Sequence, residues 1–321
     1  MRIFITGASG FIGGAIARSF SAAHDVRAMS RSAKSDETLR AWRATPVRCE
    51  LGSVRPEHLG GSEVVIHCAA FVKQWGTPDE FWSTNVGGTA QLLETSKQAG
   101  VSRFIHMSTE AVLFHGTHMR DLDESLPYPA YTPFLYPETK AAAETLVLAA
   151  NEIGFTTIVL RPRFVWGPGD TTIMPVVKKA VKRGMYMWIN GGQAKTSTTH
   201  TANVVHAAEL ALTRGRGGQT YFITDEGVTT VREFLTALLG TEGIQLPNLS
   251  IPGSVARALG WLIEKVWRLL KLRSEPPLTH FAAAMASSDC TIRIDKARSE
   301  LGYAPIITRG QGLTELANLR E

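Results

Sequence analysis

The chain has 321 residues, of which 44% are apolar and 20% charged, and it carries a formal net charge of +5. That length buries a large core in one big α/β domain or two lobes, and the composition excludes a disordered or fibrous protein. The positive charge is scattered without a Lys/Arg block, which argues against a nucleic-acid partner; Cys49, Cys68 and Cys290, odd in number and far apart, argue against a disulfide framework or a metal site and for reduced thiols in a cytoplasmic protein. No run of 18 uncharged apolar residues suggests a membrane span, and the glycines that interrupt MRIFITGASGFIGG count against a signal peptide.

In chain order, residues 3–6 read as a strand and 11–21 as a helix, with Gly7, Gly10 and Gly13 between and at the helix start. Gly7 permits a tight turn, Gly10 lets backbone N–H groups approach a pyrophosphate at the helix N-terminus, and Gly13 lets that helix pack close to the sheet. Ser9, Phe11 and Ile12 belong to the same expected cofactor loop. A second strand at 26–30 runs into SRSAKS. No carboxylate stands there for the adenosine ribose, whereas Arg31 offers a planar fork to a 2′-phosphate. NADP is therefore the preferred cofactor and NAD the alternative.

Further strands are expected at 47–50, 64–68, 104–108 and 156–161, and helices at 38–42, 78–99 and 137–153, with Gly100 and Gly154 as helix stops. This alternation is the signature of βαβ units on a parallel sheet. The second half is less regular, with helices at 174–183, 203–214, 231–239 and 254–272 and a short strand at 220–223. The expected fold is a Rossmann-type doubly wound α/β sheet over residues 1–162, rejoined by segments near 200–225. Residues 163–321 form mainly a smaller, mixed substrate-binding lobe.

FLYPETKAAAE (134–144) puts Tyr136 four residues ahead of Lys140 where a helix begins. A tyrosine is a reluctant acid–base unless its anion is stabilised, and a lysine one turn away supplies that charge. FIHMSTEAV offers Ser108 and Thr109 at a strand end, on the side where open α/β sheets bind ligands. Taken with TGASGFIG, HCAA (67–70), NVGGT (85–89), STE (108–110) and RPRFVWGPGD (161–170), the chain resembles the extended short-chain dehydrogenase/reductases, or NAD-dependent epimerase/dehydratase superfamily. The resemblance implies that Thr109, Tyr136 and Lys140 are catalytic and that Asn85 works near the nicotinamide end. It also implies that Glu50, Leu51, Ala69, Ala70, Pro162 and Lys140 border the cofactor.

Sugar-nucleotide members of that superfamily carry a diphosphate-binding arginine where this chain has Thr196, and dehydratases have a second acid where Ala111 follows Glu110. A redox-neutral epimerase or dehydratase is thus the enzymatic alternative, and a non-catalytic NADP-sensing regulator the other. Phe71, Trp75, Phe81, Trp82, Tyr128, Tyr131, Phe134, Trp166, Met185, Tyr186 and Trp188 supply apolar lining. With KARSELGYAP near the C-terminus, the closest resemblance is to the 3β-hydroxysteroid dehydrogenase and dihydroflavonol reductase-like group. It implies hydride transfer at a secondary alcohol or ketone of a bulky apolar substrate such as a sterol, flavonoid or β-keto acyl chain. The segment 254–272 is amphipathic, read first as a lid with its apolar side on the substrate, alternatively as a peripheral membrane contact or as ordinary packed helix. A homodimer is the other expected association.

Overall fold

A computed structural model describes residues 1–319. Seven parallel strands form the main sheet: β1 (Arg2–Thr6), β2 (Asp25–Ser30), β3 (Thr45–Arg48), β4 (Val64–His67), β5 (Arg103–Met107), β6 (Thr156–Pro162) and β7 (Gln219–Ile223). Their spatial order is β7-β6-β5-β4-β1-β2-β3, so the chain reverses direction across the sheet between β1 and β4. Side chains alternate along each strand, which gives the sheet two apolar faces. Ile3, Ile5, Ile66 and Ile105 meet one helical layer; Phe4, Val65, Phe104 and Val159 meet the other.

The first layer holds α1 (Phe11–Phe20), and the second holds α2 (Gly88–Gln98) and α3 (Leu135–Ala149). A later helix, α4 (Thr201–Thr213), joins the first layer through Val204, Ala207, Ala208 and Ala211. Over the strand ends lies a four-stranded sheet of Thr229–Thr230, Lys195–Thr196, Cys290–Ile292 and Met119–Leu122. A third apolar cluster centred on Trp166, Trp188 and Phe234 packs beside it. The long helix α5 (Gly253–Leu269) and the short α6 (His280–Ala286) pack against each other.

Several sequence-based boundaries need correction. The helix expected at 78–99 is broken: Pro78–Phe81 is one turn, Trp82–Gly87 a π-helical turn, and only then does α2 run on. Two consecutive glycines, Gly87 and Gly88, weaken the helical ladder there, and a Cβ at Gly88 would lie 2.6 Å from Leu51 Cγ. Helix α3 starts two residues earlier than expected, because the backbone turns helical directly after the extended Phe134. It stops at Ala149, and Gly154 (φ +86°) serves the tight turn between Glu152 and Phe155 rather than a helix cap. The strands Met119–Leu122 and Cys290–Ile292 and the helices α6 and Arg309–Asn318 were not expected at all. They are short or carry too little apolar periodicity to stand out.

Candidate active site

The glycine loop is shaped for close backbone approach. Gly7 has φ +67°, and a Cβ there would lie 2.7 Å from the Ala69 nitrogen; a Cβ on Gly13 would lie 2.4 Å from the Gly7 carbonyl oxygen. Gly10 caps α1 with extended backbone and no side-chain partner for the helix's first N–H groups. Ser9 and Gly10 are exposed, Phe11 and Ile12 half-buried. A helix start with free amides and a glycine cradle suits an anionic pyrophosphate.

Beside this loop, the Thr6 hydroxyl accepts the Ala69 N–H (3.1 Å) and donates to His67 Nδ1 (2.7 Å). Nε2 of His67 then donates to Thr89 (2.9 Å), whose hydroxyl donates to the Asn85 carbonyl (2.6 Å). Burial, aided by the Lys140 charge, holds the His67 imidazole down to about 3, so it is a neutral structural link. The Asn85 amide bonds both backbone groups of Phe71 and the Thr139 hydroxyl on α3. It thereby ties the segment after β4 to the helix that bears Tyr136.

Arg31 and Glu50 are exposed beyond the ends of β2 and β3, while Leu51 is half-buried against Gly88. Ser32 caps the helix Ala33–Ala41, and Asp36 in that helix is paired with Arg48 at 2.8 Å. Ala69 and Ala70 follow β4, and Pro162 ends β6 beside Ile223.

Tyr136 lies in the first turn of α3, and Lys140 one turn deeper and buried. Lys140 Nζ donates to the Met107 carbonyl at 2.9 Å and lies 3.3 Å from His106 Nε2. Burial lowers the ammonium to about 8, opposed by the nearby Glu144 carboxylate. His106 is pushed well below its ordinary value, mainly by burial and then by Lys140. It is therefore neutral, accepts from Lys140 through Nε2, and leaves Nδ1 unpartnered. Burial raises the Tyr136 phenol above its ordinary value, the Glu110 charge adds to this, and a hydrogen bond with Thr109 opposes it.

Ser108 and Thr109 have separate tasks. The Ser108 hydroxyl donates to Glu144 Oε2 at 2.5 Å, inside a buried cluster where Glu144 also accepts from Tyr128 (2.6 Å) and pairs with Arg161. Thr109 donates to Glu110 Oε2 (2.9 Å) and accepts the Ala111 N–H (3.2 Å). Thr109 thus lies next to Tyr136 with its hydroxyl oriented by Glu110. Glu110 is itself ion-paired with buried Arg163, whose guanidinium also donates to Thr196 at 3.3 Å. Sequence reasoning singled out Glu110 but missed Arg163 and Glu144; both lie in segments whose motifs drew the eye elsewhere.

In front of Tyr136 opens a narrow cleft lined by Trp75, Phe81, Phe134, Phe281, Glu264 and Arg268. Of the expected aromatics, Trp75, Phe81 and Phe134 line it, and Phe71 stacks edge-on to Phe81. The others do not line it: Tyr128 serves Glu144, Tyr131 is exposed, and Trp166, Tyr186 and Trp188 build the third apolar cluster. Phe281, 5.9 Å from the Tyr136 ring, was missed because α6 reads as a plain alanine-rich turn. Helix α5 borders the cleft with Glu264 and Arg268, not with its leucines. The expected lid with an apolar underside is corrected accordingly: Leu259, Leu262, Val266 and Leu269 point to solvent, and of that apolar side only Ile263 and Trp267 are half-buried.

The model of the 3-beta hydroxysteroid dehydrogenase/isomerase family matches residues 4–252. A 4-hydroxy-2-methyl-3-oxo-4-farnesyl-3,4-dihydroquinoline-1-oxide ketoreductase of Stigmatella aurantiaca is 41% identical, over 98% of this chain and 96% of its own length. A 2-alkyl-3-oxoalkanoate reductase of Stenotrophomonas maltophilia is 32% identical over 98% of each. Among solved structures, the UDP-glucose 4-epimerase of Thermotoga maritima with UDP-glucose superposes with a TM-score of 0.76 over 99% of this chain and 98% of that one. At 20% identity, it shares the fold.

Proposed function

Since the chain belongs to the 3-beta hydroxysteroid dehydrogenase/isomerase family, we propose that it reduces a ketone borne on a bulky apolar skeleton, with NADPH as preferred hydride donor. It is a nicotinamide-dependent oxidoreductase acting between alcohol and carbonyl groups. The reductive direction and the apolar tail follow from the substrates named for the two relatives, a farnesyl-bearing 3-oxo quinoline and a 2-alkyl-3-oxoalkanoate.

The observation that carries this reading is Tyr136, beside Thr109 and at a cleft lined by aromatic rings together with Glu264 and Arg268, with buried Lys140 one turn behind it. The nicotinamide supplies or accepts the hydride when bound. Tyr136 delivers the proton to the incoming carbonyl oxygen, and the Lys140 charge supports the phenolate that remains. Thr109, steered by Glu110, holds the phenol in line. The residues of the glycine loop hold the pyrophosphate, while Leu51, Ala69, Ala70 and Pro162 flank the cofactor and Asn85 positions the wall beside it.

Arg163 supports the ketone reading over a sugar-nucleotide epimerase or dehydratase. It is buried and committed to Glu110 and Thr196, so it is withheld from a diphosphate, and it keeps Glu110 from acting as a free acid. For NADP, the argument is the exposed Arg31, engaged in no ion pair among the described residues, next to an Asp36 already matched by Arg48. Arg31→Ala should raise the KM for NADPH about 10-fold or more, as loss of a charge-assisted bond does, and leave that for NADH within about 2-fold. Equal effects on both cofactors would reject the NADP preference.

A further inference from the structure

Helix α5 carries, besides the face it packs with, a second apolar face that an ordinary packed helix lacks. Its body-facing side is made of Gly253, Ala256 and Gly260, continued by the half-buried Ile263 and Trp267, with Arg257 bonding Ser287, Ser288 and the Gly116 carbonyl, and Glu264 accepting the His280 N–H. The fit there is tight, since a Cβ on Gly260 would lie 2.8 Å from the Thr279 carbonyl oxygen. The outward side is apolar at alternating spacings of four and three: Val255, Leu259, Leu262, Val266 and Leu269, all exposed, with Leu269 at 81%. That spacing keeps one face of a helix in line. Leu270 and Trp261 widen it. Just before α5, Ser250–Ile251 pairs with Trp188–Ile189, and the exposed Leu249 and Met187 adjoin that pair.

Charge selects what covers this face. Residues 253–273 contain five cations and one carboxylate, and that carboxylate, Glu264, is turned inward. Lys265, Lys271 and Arg273 are exposed along the helix and its end. The segment 174–187, which leads into the Trp188–Ile189 strand, adds Lys179, Lys182 and Arg183 and no acid, Lys178 being paired with Glu242. In a symmetric dimer through this face the same cations would oppose their own copies, an unfavourable pairing. An apolar helical face rimmed by Lys and Arg, with Trp261 at its edge, instead matches an interface of anionic lipid headgroups over acyl chains.

We propose that the outer face of α5 docks this protein on an anionic lipid bilayer. The opposite side of the same helix borders the cleft in front of Tyr136 through Glu264 and Arg268, the latter stacked over Trp75 at 4.9 Å. Docking therefore sets the cleft beside the surface in which an apolar substrate dissolves. That consequence rests on the ketone-reductase reading; the docking itself does not.

The test is sedimentation of the full chain with vesicles of phosphatidylcholine alone and of phosphatidylcholine with phosphatidylglycerol, with no turnover required. The wild type should partition at least about 10-fold more strongly onto the anionic vesicles. The double variant Leu262→Glu/Leu269→Glu should lose that binding while keeping NADPH affinity and its rate on a water-soluble ketone. Failure to bind anionic vesicles, or equal binding by the variant, overturns the proposal. So does a wild-type dimer in gel filtration that the variant converts to monomer, which would assign the face to a second copy.

Discussion

Ser108 and Thr109 are adjacent in sequence, and each could have been the hydroxyl beside the reacting carbonyl. Composition and spacing alone left both open, and only alignment of the strand end with related sequences favoured Thr109. The structure gives them different partners: the Ser108 proton is fixed on Glu144, 2.5 Å away, whereas Thr109 donates to Glu110 beside Tyr136. Lys140 makes a sharper prediction at this scale. It is lowered to about 8 by burial, so as pH rises through that value it loses its proton and, under the proposed mechanism, the charge that supports the Tyr136 phenolate. The kcat/KM for ketone reduction should fall on the alkaline side with a midpoint near 8, and Lys140→Arg, which stays charged, should move that limb up by at least about one unit. A flat profile to pH 10 in the wild type would refute the role.

At the scale of elements, helix α3 and strand β6 are joined by a pair that no motif announced. Glu144 and Arg161 are both buried; the carboxylate gathers Ser108, Tyr128 and the guanidinium, which lies over the Tyr128 and Phe222 rings. In sequence, Glu144 is one more polar residue in KAAAETL and Arg161 the start of a familiar loop. Their partnership depends on the register between a helix and a strand, which local pattern does not encode. Glu144→Ala leaves Arg161 buried without its counter-charge and should destabilise the fold by about 3–5 kcal/mol in urea unfolding; a loss below about 1 kcal/mol would show that the cluster relaxes freely. Helix α5 teaches the converse. Its amphipathic pattern was legible, but which side faced the protein was not, because Ala256 and Gly260, with only Ile263 and Trp267 beyond them, give an inward face less apolar than the exposed one.

Across the whole molecule, the glycine loop, the parallel strands themselves and the spacing of Tyr136 and Lys140 on one helix were legible because each depends on a short segment with strict local demands. Gly13 tolerates no side chain against Gly7, and the strands are near-continuous apolar runs buried on both faces. The four-stranded sheet over the strand ends was not legible, since it joins two-to-four-residue pieces from residues 119–122, 195–196, 229–230 and 290–292. That sheet nevertheless positions Thr196 under Arg163 and so fixes Glu110, the residue on which oxidoreductase and dehydratase readings part. The most direct measurement follows the hydride. With deuterium at the transferable position of NADPH and a ketone on an apolar chain, the account predicts one deuterium in the alcohol product for each NADP⁺ formed, with Tyr136→Phe slowing turnover about 100-fold or more. Product formed without net cofactor oxidation, or with deuterium retained in the cofactor, would contradict it.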